Sequence, residues 1–74
     1  MKVTVKLFAN FRTGRFAVET CDYPVNTKVV DVVTEKGILI ADIGIMLVNS
    51  RHVHLDCQLV EGDTLAIFPL LGGG

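Results

Sequence analysis

Glu61-Gly62-Asp63-Thr64-Leu65-Ala66-Ile67-Phe68-Pro69-Leu70-Leu71-Gly72-Gly73-Gly74 closes the chain. Glu61-Gly62-Asp63 is a turn signal, because Gly and Asp accept backbone angles that other residues resist. Thr64 to Phe68 then alternates as a strand does, with Leu65 and Ile67 on one face and Ala66 and Phe68 on the other. Pro69 has no N–H to give to a sheet ladder, so the folded body is expected to stop there. The residues from Pro69 onward reach about 20 Å when extended. Glycine has no Cβ, so Gly72, Gly73 and Gly74 can lie flat in a slot too narrow for other residues. The expectation is a body over 1–68 and a flexible arm over 69–74, with the carboxylate of Gly74 at its tip.

The same alternation opens the chain. Val3, Val5 and Leu7 interleave with Lys2, Thr4 and Lys6, and Phe8 follows on the polar side. Thr13-Gly14 signals a turn. Phe16, Val18 and Thr20 then alternate with Arg15, Ala17, Glu19 and Cys21, a second strand that Tyr23-Pro24 ends. Thr27 is the expected N-cap of a helix over 28–36, with Gly37 at the C′ position. The apolar run Ile38 to Ile43 leads into Ile45-Met46-Leu47-Val48, expected as a buried central strand. Asn49 to His52 reads as a turn, with a short return strand around Val53.

One helix must cover one face of one sheet. The order predicts an α+β fold of the β-grasp type, a mixed sheet of four to five strands whose first and last strands are neighbours at its centre. Val3, Val5, Leu7, Leu65 and Ile67 then face the helix. Phe8 and Phe68 face the other way, forming an exposed aromatic patch beside the exit of the tail. Patches of this kind mark partner surfaces, where aromatics are over-represented.

Composition removes several classes of function. Seven basic and eight acidic residues give a net charge of −1 with no basic stripe, against nucleic acid as the partner. No apolar run is long enough to cross a membrane as a helix. The N-terminus lacks the apolar stretch of a signal peptide, so a cytoplasmic location is expected. Cys21 and Cys57 are then reduced thiols and not a disulfide framework. His52, His54 and Cys57 lie close in sequence but match no zinc spacing, so no metal is expected. No third group orients a Cys–His pair for nucleophilic attack.

Several segments resemble one family. Leu7-Phe8-Ala9-Asn10-Phe11-Arg12 is similar to the first-strand exit of MoaD, the molybdopterin synthase small subunit. Leu47-Val48-Asn49 resembles a step in its third strand. Glu61 to Pro69 resembles its last turn and strand, and Leu70-Leu71-Gly72-Gly73-Gly74 keeps its spacing from that proline to a terminal Gly-Gly. The thiamin sulfur carrier ThiS and small archaeal ubiquitin-like modifiers share the fold and the ending.

The resemblance implies a sulfur carrier, and not an enzyme. A ubiquitin-activating-type enzyme would use ATP to adenylate Gly74, and the product would become a thiocarboxylate. Its sulfur would go to a precursor held by the molybdopterin synthase large subunit, or by thiazole synthase in a ThiS role. A modifier conjugated to lysines through Gly74 is the further alternative. No cofactor is bound by the carrier itself. By position, the resemblance makes Phe8 and Phe68 partner contacts. It also points to His52, where the family is usually apolar, and to Arg12, which reads equally as a solvated charge. Leu70 stands where many members have a second proline, and Gly72 where a small residue is common.

Overall fold

The computed structural model describes residues 1–71. The elements are β1 (Lys2–Leu7), a 3-10 turn (Ala9–Arg12), β2 (Val18–Asp22), α1 (Val29–Glu35), a second 3-10 turn (Ile40–Asp42), β3 (Ile43–Val48), β4 (Arg51–His52) and β5 (Thr64–Pro69). The strands form one sheet in the order β2-β1-β5-β3-β4. β1 and β5 pair in parallel, and the other pairs are antiparallel. This is the β-grasp architecture, with the first and last strands side by side at its centre.

The helix lies against one face of the sheet. Val3, Val5, Leu7, Leu65 and Ile67 have no exposed surface, and neither do Val29, Val32 and Val33 of α1. The helical spacing of those valines puts them on one side of α1. Valine loses at most about 0.7 kcal/mol per residue in helix propensity, whereas burying its side chain contributes about 1.5–3 kcal/mol. Tertiary packing therefore decides the helix.

Both ends of α1 are capped, one of them differently from expectation. Thr27 is not the N-cap, because its hydroxyl donates to the Pro24 carbonyl instead. Lys28 takes that place, and its backbone N–H donates to the Asp31 carboxylate at 2.9 Å. At the other end Gly37 has φ +72°, with Gly37 N–H donating to Thr34 and Ile38 N–H to Val33. This double bond satisfies carbonyls that the helix would otherwise orphan. Arg15 adds to it, donating from Nε to the Lys36 carbonyl and from Nη2 to the Gly37 carbonyl.

The strands also depart from expectation in three places. β2 begins at Val18, and its register sets Cys21 opposite Val3 and Glu19 opposite Val5. Cys21 and Glu19 thus share the helix side, while Val18 and Thr20 lie on the open face. β3 is interior, between β5 and the two-residue β4, but it is not buried: Ile45 is exposed and Ile43, Met46 and Leu47 are half-buried. The return strand is Arg51–His52, reached through Asn49 and Ser50 with φ of 51° and 71°. Two consecutive positive φ values make the tight hairpin that matches strand twist.

Asn49 then ties this hairpin to the centre of the sheet. Its amide donates to the Asp63 carboxylate at 2.8 Å, and its oxygen accepts from Thr64 N–H at 3.0 Å. Asp63 is buried and also accepts from Val60 N–H. The segments Val48-Asn49 and Gly62-Asp63 are therefore two halves of one structural lock.

Candidate functional site

Phe8 leaves β1 just as Phe68 nears the end of the parallel strand β5. Their rings stack with centroids 4.1 Å apart and planes 12° from parallel. The register carries the open face outward from this pair. Ala66 lies opposite Lys6 on one side and Leu47 on the other, and Ile45 lies opposite Phe68. Lys6, Leu47, Ala66 and the two rings, together with Thr64 and the Asn49-Ser50 turn, line a groove of about 420 Å³. Phe8 and Phe68 thus meet on the open face as expected, but stacking leaves both half-buried and not fully exposed.

The charged residues expected near it are placed as follows. Arg12 sits at its edge, with the guanidinium carbon 5.4 Å from the Phe8 ring centroid and Nε donating to the Leu7 carbonyl. This arrangement holds a cation over the exposed end of the stack. His52 lies opposite Leu47 in β4, which puts it on the open face at the sheet margin. It also borders a second hollow of about 350 Å³, between Ile40, Met46, His54 and Leu55. Among the described residues, no three His, Cys, Asp or Glu side chains converge as metal ligands.

The root of the tail is held by backbone. β5 runs through Pro69, one residue beyond the expected limit, and Pro69 is buried opposite Ile43. A proline is admitted there because the register of β3 shifts between Ile43 and Ile45, and bulges tolerate a missing donor. Leu70 N–H then donates to the Asp42 carbonyl at 2.8 Å. Leu70 and Leu71 are exposed, at 60% and 80%. The predicted site residues Gly72, Gly73 and Gly74 lie outside the described residues.

Ile45 and Leu47 were hidden in the sequence by a continuous apolar run. Strict alternation against the buried Val48 would have assigned both to the open face. Lys6 was legible as a polar strand residue but acquires meaning only from its register partner Ala66.

The titratable cluster of the fold lies elsewhere, between β2 and α1. Lys36 Nζ is 3.1 Å from Cys21 Sγ, 3.2 Å from a Glu35 oxygen and 3.4 Å from a Glu19 oxygen. Burial works against its charge, but the contacts with Cys21 and Glu35 outweigh it and raise its pKa. Burial and the hydrogen bond to Glu35 raise the Tyr23 phenol. That same hydroxyl holds Glu35 below the ordinary carboxylate range. Phe16 packs under the Lys36 ammonium at 5.2 Å.

No protein-family model matches the chain, and no curated sequence does. Solved structures do match. A protein assigned as molybdopterin converting factor subunit 1, from Pyrococcus furiosus, superposes with a TM-score of 0.77 at 27% identity. The match covers 96% of this chain and 99% of that one. Small archaeal modifier protein 1 from Methanosarcina acetivorans gives 0.76 at 25% identity, covering 99% and 96%. A chain from the complex of subunits 1 and 2 of the Helicobacter pylori molybdopterin-converting factor gives 0.67 at 19% identity, covering 100% of both, a likeness of fold alone. The structural neighbours are thus ubiquitin-like proteins of the kind the resemblance implied.

Proposed function

We propose that this chain is a ubiquitin-like sulfur carrier whose Gly74 carboxylate is adenylated and then converted to a thiocarboxylate. The observation that carries this reading is the stacked Phe8–Phe68 pair at the root of a tail that reads Leu70-Leu71-Gly72-Gly73-Gly74. A docking face and a reactive tip belong to the same strand end. The chain acts as co-substrate, and its partners supply catalysis.

The chemistry balances with ATP and a sulfide equivalent. The carboxylate attacks the α-phosphorus of ATP and pyrophosphate leaves. Hydrosulfide then attacks the acyl carbon and AMP leaves, giving the thiocarboxylate. A free carboxylate is a poor electrophile, so adenylation provides the leaving group. The partners are an adenylating enzyme of the ubiquitin-activating type and a sulfur acceptor. We place the chemistry in the cytoplasm, where ATP is at hand.

For the acceptor we propose the molybdopterin precursor on a synthase large subunit. Support comes from the Pyrococcus furiosus neighbour, assigned as molybdopterin converting factor subunit 1. The modifier reading is favoured by one observation, the likeness to small archaeal modifier protein 1. The experiment incubates the protein with ATP, activating enzyme and a sulfide source. Thiol-specific alkylation and mass spectrometry then locate the label. A labelled Gly74 is expected, and a product carrying only carboxylate would sink the carrier reading. Conjugates on a denaturing gel that vanish on deleting Gly73 and Gly74 would favour the modifier.

A further inference from the structure

Gly44 sits where a methyl group would collide with the root of the tail. A Cβ added there would lie 2.7 Å from the Pro69 carbonyl oxygen and 3.1 Å from Leu70 Cα. Both are backbone atoms, so no side-chain rotation makes room. Gly44 is not among the glycines with positive φ, so turn geometry does not call for it. Inside a strand, glycine costs about 0.5–1 kcal/mol against alanine. Close backbone approach is the remaining physical reason for a strand glycine at this bulge.

The contacts around it form a clamp. On one side the Asp42 carbonyl accepts the Leu70 N–H at 2.8 Å. On the other, Gly44 lets the chain lie directly on Pro69 and Leu70. Pro69 itself is buried opposite Ile43. The Pro69-Leu70 step is thus fixed by backbone contacts with Asp42 and Gly44 and by the burial of Pro69.

We infer that Gly44 is a positioning residue for the C-terminal tail. The space left by its missing side chain seats Pro69-Leu70 against β3 and sets the direction in which the chain leaves the sheet at Leu71. The geometric half stands on contacts alone, while its chemical consequence rests on the carrier reading. A docked carrier must present the Gly74 carbon to ATP while Phe8 and Phe68 hold the partner. A misplacement of about 1 Å costs up to about a hundredfold in rate, and a swing at the root grows along the arm.

The test is Gly44→Ala in the full chain, read two ways. Amide exchange of the isolated protein should speed up at Leu70 by about tenfold or more, while Val5 and Ile67 keep their protection. With the activating enzyme, turnover at saturating carrier should fall about tenfold, while KM stays within about twofold of the parent. If the variant does not fold, an amide-to-ester replacement at Leu70, made by ligation at Cys57, deletes the donor and keeps Gly44. The ester has no Leu70 N–H to exchange, so its clamp is read as the order parameter of the Leu71 amide, which should fall, alongside the same loss of turnover. Unchanged exchange at Leu70 in Gly44→Ala, or an unchanged Leu71 order parameter in the ester, overturns the clamp. Faster exchange with unchanged turnover overturns the positioning role. If the parent itself is never adenylated, the carrier reading fails, and the exchange data still decide the clamp.

Discussion

Phe68 joins two jobs in one side chain. It stacks on Phe8 and also forms part of a groove wall. Phe68→Ala should weaken binding to the activating enzyme by about 1 kcal/mol or more, about fivefold in Kd. The stability cost should stay near the about 0.5–1.5 kcal/mol of an aromatic pair. Calorimetric titration and urea denaturation measure the two. A stability loss of about 3–5 kcal/mol, the range of a core Phe→Ala, would show that Phe68 belongs to the core. The outward direction of Phe8 and Phe68 was legible because strand parity depends on neighbours in sequence. Arg15 was not legible, because its acceptors, the Lys36 and Gly37 carbonyls, are brought to it only by the folded chain.

Elements are held to one another here by a small number of polar locks. The Asn49–Asp63 lock joins the β3–β4 hairpin to the entry of β5. Asp63→Ala leaves Val60 N–H and the Asn49 amide without their partner, so stability should fall by about 1–3 kcal/mol. A drop below about 0.5 kcal/mol in urea denaturation, the size of an ordinary surface effect, would remove the lock's importance. Both halves were visible in the sequence as turn residues, but their meeting was not, since it depends on β5 lying beside β3. The burial of β3 departs from expectation for a related reason. An apolar run from Ile43 to Val48 suits a buried central strand, yet here Ile45 and Leu47 turn to the open face. The cap at Lys28 was missed because Thr27 satisfies the compositional rule while its hydroxyl serves the Pro24 carbonyl.

The whole molecule is small, and its pH response should follow from the cluster between β2 and α1. Lys36 and Tyr23 both hold their protons more tightly folded than unfolded. The stability each contributes is complete below its ordinary pKa, about 10 for both, and is lost as pH rises through the folded value. Glu35 is displaced the other way. Its contribution is present above the ordinary value of 4.5 and fades as pH falls through the lowered one. Urea midpoints should therefore be flat between about pH 5 and 9 and decline on both sides. Tyr23→Phe removes the phenol and its hold on Glu35, so both declines should shrink. An unchanged profile in that variant would separate the cluster from global stability. The strand order carries one more consequence, for synthesis. β5 fills the gap between β1 and β3, yet among the described strands it comes last in chain order. A ribosome-bound chain lacking Thr64–Pro69 has two half-sheets and no complete core, and pairings so distant in sequence form late. The Phe8–Phe68 stack is therefore completed only when this strand is in place, so on the proposed reading an unfinished chain would not present the paired rings to a partner.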